Sequence, residues 1–349
     1  MFTQNVPASR LPSRLLGLLT GPHGVDRYTE LVDPMWTSED RATVVRVRRP
    51  NARNLTIWLR PNHPIVFRAG QYLTVTVEID GRRHIRCYSP ANAEGVPVIE
   101  LTITRHDGGA VSEYLHRTAR PGMTVGLSGP AGDFVLPNSR PRRLLLVAGG
   151  SGITPIMSMV RTLRQERGHD GEIAVLYYVR TAADACYREQ LATLPDVRVL
   201  HVCTRTPGGD LHGHLNARHL ATAMTHPDAV YVCGPHELID ATRQHYPGAI
   251  AESFAPVPAV NPDFPCGGRI TFGESRIAVP DDGRTLLDQA EAAGLAPKTG
   301  CRMGICHTCT RRKVRGMVRN VTTGTISTQD DDAVQICVSV PVGDVEIDL

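Results

Sequence analysis

The stretch Cys301-Arg302-Met303-Gly304-Ile305-Cys306-His307-Thr308-Cys309, with a further cysteine at Cys337, decides how the rest of the chain is read. Three thiols crowd into one loop. Their C-x4-C-x2-C spacing, completed by a distant fourth, is the arrangement in which four thiolates hold a [2Fe-2S] cluster. Zinc is the alternative, but zinc sites usually pair two compact C-x2-C-like knuckles, and a second knuckle is missing here. A disulfide set is the weakest reading. Nine cysteines are an odd total without a regular framework, which suits a reducing cytoplasm.

Around that loop, 349 residues leave room for two or three domains, each able to bury its own core. A 41% apolar and 21% charged composition is that of an ordinary folded protein, and a net charge of +3 gives no reason to expect nucleic acid. No stretch approaches the roughly 18 apolar residues of a membrane span, and no secretory signal is visible. A cytoplasmic location is expected, with peripheral membrane contact only through a partner.

Residues 1–37 form an N-terminal extension in which Leu11, Leu15, Leu18 and Leu19 fit one helical face. Short alternating runs follow over 38–138: Ala42 to Arg48, Leu55 to Leu59, Tyr72 to Val77, Val98 to Thr104 and Thr124 to Leu127. Turn residues such as Asp80-Gly81 and Pro121-Gly122 break them, so an antiparallel β-barrel is expected, with one helix near Ser112 to Ala119. From 139 to 257 the character changes. Continuous apolar runs at Leu144 to Ala148, Ile173 to Val179, Val197 to Val202 and Ala229 to Val232 alternate with helical patterns, the mark of a parallel α/β domain. A proline-rich stretch over 258–267 reads as a semi-rigid linker. Residues 268–349 then suggest a β-grasp: strands at Arg269 to Phe272 and Arg276 to Val279, a helix at Thr285 to Ala293, the cysteine loop, and closing strands at 335–340 and 345–348.

Two glycine turns carry the binding chemistry. Gly149-Gly150-Ser151-Gly152-Ile153-Thr154-Pro155 leaves a buried strand and opens a helix, and Gly109-Ala110-Val111-Ser112 lies between a strand and a helix. Free N–H groups at a helix start favour phosphate, and glycine lets backbone approach it. Neither is a G-x-G-x-x-G fingerprint; a plain turn or, at Ser112, an ordinary cap is the bland reading. Arg86-Cys87-Tyr88-Ser89 offers a ring that can stack, a cation for pyrophosphate and a hydroxyl, although such a run also alternates like any exposed strand.

Taken together, these motifs resemble the ferredoxin-NADP reductase family, in its bacterial single-chain form with a C-terminal plant-type [2Fe-2S] ferredoxin domain. The cluster ligands implied are Cys301, Cys306, Cys309 and Cys337. The resemblance implies that Tyr88 stacks on the isoalloxazine of FAD, Arg86 neutralises its pyrophosphate and Ser89 bonds flavin N5. It also implies that Thr102, Ile103 and Thr104 line the ribityl and phosphate chain, and that Gly109, Val111 and Ser112 form the pyrophosphate turn. Gly150, Gly152 and Thr154 would cradle the nicotinamide nucleotide. In Cys233-Gly234-Pro235 the thiol would lie beside the nicotinamide, while Glu252 and Phe254 resemble the acidic-x-aromatic element whose ring gates hydride transfer. Thr204-Arg205, with Arg180 nearby, matches the pair that holds a 2′-phosphate, favouring NADPH with NADH left open.

The order of domains implies an NAD(P)H-dependent oxidoreductase that converts two-electron into one-electron transfer. Among relatives with this order, the electron-transfer partners of actinobacterial acyl-CoA desaturases are the most similar, so a terminal oxygenase or membrane acyl desaturase is the acceptor expected. A P450, a hydroxylase or a Rieske oxygenase is an alternative, as is a redox sensor or carrier without NAD(P)H turnover. Arg302, Arg311, Arg312, Lys313, Arg315 and Arg319 surround the cysteine loop without an intervening acid, which predicts an acidic docking face on the partner. His307 departs from the small residue that such loops favour. Cys87, Cys186, Cys203 and Cys266 are expected to be packing residues.

Overall fold

A computed structural model describes residues 41–166, 170–254 and 267–349. The expected N-terminal helix around Leu11 to Leu19, the linker and Cys266 lie outside these residues. Three six-stranded sheets follow one another along the chain.

The first sheet is antiparallel and built from β1 (Arg41–Asn51), β2 (Asn54–Pro61), β3 (Leu73–Ile79), β4 (Arg82–Tyr88), β5 (Ile99–Thr104) and β6 (Thr124–Leu127), in the order β4-β3-β6-β1-β2-β5. Alternation places Val44, Leu55, Ile57, Leu59, Leu73, Val75, Leu101 and Ile103 in one core, around which the sheet curls. Helix α1 (Ala110–Thr118) closes that core with Val111 and Leu115. The motif strand β4 is largely polar and pairs with β3 along its whole length.

The second sheet is parallel throughout: β7 (Arg143–Gly149), β8 (Glu172–Val179), β9 (Val197–Cys203), β10 (Leu211–His212), β11 (Ala229–Cys233) and β12 (Ile250–Glu252), ordered β10-β9-β8-β7-β11-β12. Its central strands are apolar on both faces because helices cover both. Helix α2 (Ile153–Gln165) leaves β7, α3 (Arg188–Ala192) and α4 (Ala217–Ala223) flank the sheet, and α5 (His236–His245) leaves β11.

The third sheet holds β13 (Arg269–Phe272), β14 (Ile277–Pro280), β15 (Thr310–Asn320), β16 (Ile326–Ser327), β17 (Asp332–Gln335) and β18 (Ser339–Ile347), with helix α6 (Leu286–Ala292) packed over it. Thr285 caps α6, its hydroxyl accepting from the Asp288 amide at 3.2 Å. Two expectations change here. The two closing strands are one continuous strand, β18, and the longest strand of this sheet, β15, lies within the arginine-rich segment. That segment holds its place through long pairing with β18 and through Lys313, fully buried, whose ammonium donates to the carbonyls of Gly316 and Gln329. Among the described residues no helix is long and apolar enough to cross a membrane.

Candidate functional site

The three sheets meet around β3 and β4. In their antiparallel register Leu73 faces Tyr88 and Thr74 faces Cys87. Successive strand residues point to opposite faces, so Tyr88 and Cys87 look in opposite directions. Tyr88 packs on the core of the first sheet, while Cys87 joins Tyr72, Cys301 and Met303 in a buried group, with Phe254, Ile305 and Cys306 against it. Arg86 crosses to the same loop, donating to the Gly300 carbonyl at 3.4 Å as well as to Ile85 at 2.7 Å. The Tyr72 hydroxyl donates to the Ile305 carbonyl.

Two buried oxygens at this junction have no protein partner: Ser89 Oγ and Glu252 Oε2. A buried hydroxyl or carboxylate without a partner is costly, so both suit a bound polar group. Burial pushes the Glu252 carboxyl up to about 8.

Cys233, fully buried, lies beside Glu252 across the parallel pair β11 and β12. The turn Gly149–Gly152 packs directly on it: a Cβ at Gly152 would stand 2.0 Å from the Cys233 carbonyl oxygen, which only glycine avoids. A Cβ at Gly149 would meet Pro235 at 2.8 Å and Gly234 at 3.4 Å, and Gly150 takes φ +55°, the left-handed region. No side chain caps α2 or α5, which start at this edge, and an uncapped helix start suits an anion, although the Ile153 amide that opens α2 is itself bonded to the Gly150 and Ser151 carbonyls. Thr154 is tied inward, its hydroxyl donating to Ser151 at 3.1 Å. Gly150, Gly152, Thr154, Cys233, Gly234 and Pro235 are thus brought together at the carboxyl ends of β7 and β11, where open parallel sheets bind ligands. Farther along the same edge, the Arg205 amide donates to the Arg180 carbonyl at 3.0 Å, and Thr204 bonds Val179, which sets two exposed arginines side by side.

The expected flavin-chain residues are placed differently. Thr102 Oγ1 lies 2.8 Å from Thr56 Oγ1 and 2.5 Å from the Tyr187 hydroxyl, Thr104 donates to Asn54 at 2.8 Å, and the Ile103 side chain belongs to the core. Their side chains are engaged inside the protein, so a ligand along this edge strand would meet their backbone. In the other turn, Val111 is core and Ser112 Oγ accepts from His106 and donates to Gly109, both at 3.1 Å. Gly109 has no room for a Cβ, which would fall 2.6 Å from Ser112 Oγ. What this turn offers an anion is the open amides of α1.

In the cysteine loop, the amides of Met303 and Cys306 donate to Cys301 Sγ, both at 3.4 Å, and the Cys301 amide donates to Cys306 Sγ at 3.2 Å. The thiols fall into two pairs, Cys301 with Cys306 and Cys309 with Cys337, each joined by a side-chain hydrogen bond. Among the described residues no three metal-binding side chains converge on one ion. Two pairs of thiols instead suit the two irons of a [2Fe-2S] cluster. Arg302, Gly304 and His307 all have positive φ, and His307 is exposed; histidine tolerates this conformation.

The basic rim does not survive as a free patch. Arg302 pairs with Glu291 and Asp288, Arg312 with Asp331 and Asp348, Arg315 with Glu346 at 2.8 Å, Lys313 is buried, and Arg311 donates to backbone carbonyls including Thr310 at 2.7 Å. The neutralising acids come from other segments of the chain, so the electrostatic basis of the expected acidic docking face is reduced at Arg302, Arg312 and Arg315. Tyr72, Cys87 and Tyr187 carry the contacts between sheets that sequence reasoning missed.

Fold and site define a modular oxidoreductase that joins flavin, nicotinamide and iron–sulfur modules. Family profiles agree: an oxidoreductase FAD-binding domain over residues 46–136, an oxidoreductase NAD-binding domain over 146–244 and a 2Fe-2S iron-sulfur cluster binding domain over 270–342. The NADPH oxidoreductase of Mycobacterium tuberculosis is 32% identical, the match covering 96% of this chain and 91% of that protein. The glycine betaine monooxygenase reductase subunit of Pseudomonas aeruginosa is 30% identical over 84% of this chain and 90% of its own. The solved structure of phthalate dioxygenase reductase shares the fold, with a TM-score of 0.62 at 24% identity, over 88% of this chain and 97% of that one. The chain belongs to the ferredoxin-NADP reductase-type flavoproteins that carry a C-terminal [2Fe-2S] domain, and it is an NAD(P)H oxidoreductase using FAD and a [2Fe-2S] cluster.

Proposed function

We propose that this chain is the reductase component of an oxygenase-type system, taking electrons from NADPH and delivering them singly to a terminal oxygenase or, more specifically, a membrane fatty acyl desaturase. The observation that carries it is the back-to-back placement of Tyr88 and Cys87 on β4, one toward the flavin side and one against the cluster loop. When bound, FAD accepts hydride from the nicotinamide and the cluster carries single electrons onward.

The chain's own residues do the positioning. Tyr88 would stack on the flavin ring, Ser89 Oγ is free to bond its edge, and the uncapped starts of α1 and α2 would hold the two pyrophosphates. Gly152 and Cys233 set the depth at which the nicotinamide enters, and Glu252, kept protonated by burial to about 8, can donate beside it. Phe254 contacts both the nucleotide-domain core and the Tyr72–Cys87 group, so it is placed to cover the flavin until nicotinamide displaces it. Arg180 and Arg205 suit a 2′-phosphate, which supports NADPH. Replacing Arg205 by alanine should raise KM for NADPH about tenfold and leave NADH use unchanged; equal effects on both would remove this assignment.

Reductase subunits of oxygenases among the relatives support the acceptor class, and the desaturase rests on the resemblance of the chain's N-terminal extension and closing strand. Reconstitution decides it. An acyl desaturase in lipid vesicles, supplied with NADPH and this chain, should turn over; turnover supported only with a soluble oxygenase would replace the desaturase by that acceptor.

A further inference from the structure

Cys87 is the residue between Arg86 and Tyr88, and nothing in the reaction as described uses it. Its side chain is buried at 6% exposure and lies within hydrogen-bonding reach of the sulfurs of both Cys301 and Cys306. The other donors to those two sulfurs come from the loop itself: the amides of Cys301, Met303 and Cys306 and the Thr308 side chain. Among the described residues Cys87 alone comes from a different sheet. The contact is braced on either side: the Tyr72 hydroxyl bonds the Ile305 carbonyl, and the Arg86 guanidinium reaches the Gly300 carbonyl. Gly300 itself admits no side chain, since a Cβ there would fall 2.5 Å from Cys306 Sγ.

We propose that the Cys87 thiol is a positioning residue for electron transfer, donating an S–H···S hydrogen bond to the cluster ligands Cys301 and Cys306 only while the third sheet is seated on β3 and β4, and so making the cluster's potential depend on docking. The inference rests on the assignment of these cysteines as cluster ligands. A donor to a ligand sulfur stabilises the more negative, reduced cluster and raises its potential. Seated, the cluster draws electrons from the flavin side; unseated, it loses this donor and becomes the stronger reductant toward a partner. By linkage, reduction must tighten seating by the same factor.

The test is a redox titration of the full-length holoprotein, with the cluster followed by electron paramagnetic resonance and the flavin by absorbance, for wild type, Cys87→Ala and Cys87→Ser. Cys87→Ala should lower the cluster potential, shifting the one-electron balance between cluster and flavin several-fold toward the flavin, where tenfold corresponds to about 59 mV. Cys87→Ser keeps a donor and should restore most of the shift. Equal cluster potentials in wild type and Cys87→Ala overturn the proposal. A wild-type protein that holds no cluster would instead overturn the ligand assignment beneath it. If Cys87→Ala fails to load, the metal-free wild-type chain decides. Treated with diamide, which takes two electrons and two protons from a pair of thiols, it should yield a disulfide peptide joining Cys87 to Cys301 or Cys306; a digest in which Cys87 stays unlinked overturns the juxtaposition.

Discussion

The first sheet meets its two neighbours in different ways. Toward the nucleotide sheet the boundary is dense with directed bonds: Arg161 to the Ala91 carbonyl at 2.7 Å and to Glu100 at 3.2 Å, Ser158 to the Asn92 carbonyl at 2.7 Å, and Tyr187 against Thr102. Asn51 and Asn54 add bonds to Ala183 and Asp184. Toward the iron–sulfur sheet, the polar contacts among the described residues are Tyr72 to Ile305, Arg86 to Gly300 and the Cys87 sulfur contacts. The first boundary fixes two sites whose ligands must meet within hydride distance, which calls for rigidity. The second joins a module that must also serve another protein, and a small contact can be made and broken.

That difference can be broken from either side. Arg161→Ala removes the partner of Glu100, whose side chain is 11% exposed, and should cost about 3 kcal/mol in denaturant-induced unfolding while slowing flavin reduction. A loss under about 1 kcal/mol would mean that the first boundary is as soft as the second. Gly152→Ala places a methyl group where the Cys233 carbonyl stands and should slow NADPH-driven flavin reduction about a hundredfold in stopped-flow mixing. A normal rate would show that the turn yields freely.

Glu252 sharpens the comparison through pH. Its carboxyl is raised from an ordinary 4.5 to about 8 by burial, so the folded protein holds a proton that the unfolded chain releases. Its contribution is full below 4.5 and is lost as pH rises through 8. The thermal midpoint of the flavin-free protein should therefore fall over this range, and Glu252→Gln should flatten the fall; identical profiles would place the carboxyl in solvent. The smallest effect is expected at the second boundary. Tyr72→Phe removes one hydrogen bond and should cost about 1 kcal/mol or less, leave flavin reduction intact and slow only the reduction of the cluster. Equal slowing of both steps would merge the two boundaries into one.

Much of this was legible in the sequence because the chemistry is local. The cysteine spacing, the glycine turns and the apolar runs each encode their element within a few residues, and the three sheets follow in the expected order. What escaped is non-local. Nothing near Tyr187 announces that it adopts φ +59° and reaches Thr102, and nothing near Cys87 announces sulfurs more than two hundred residues away. The arginine-rich β15 escapes for the same reason: its acids lie on other segments, at Asp331, Glu346 and Asp348. The flavin-chain threonines show the converse, since a motif can match while its hydroxyls are engaged by neighbours the motif does not contain.

The central claim is that electrons pass from the flavin side of β4 to the seated cysteine loop within one chain. Anaerobic rapid mixing of the holoprotein with NADPH, following flavin absorbance together with the paramagnetic signal of the reduced cluster, tests it most directly. The cluster signal should follow flavin bleaching at a rate independent of protein concentration. A cluster that stays silent, or a rate that grows in proportion to protein concentration, would contradict it.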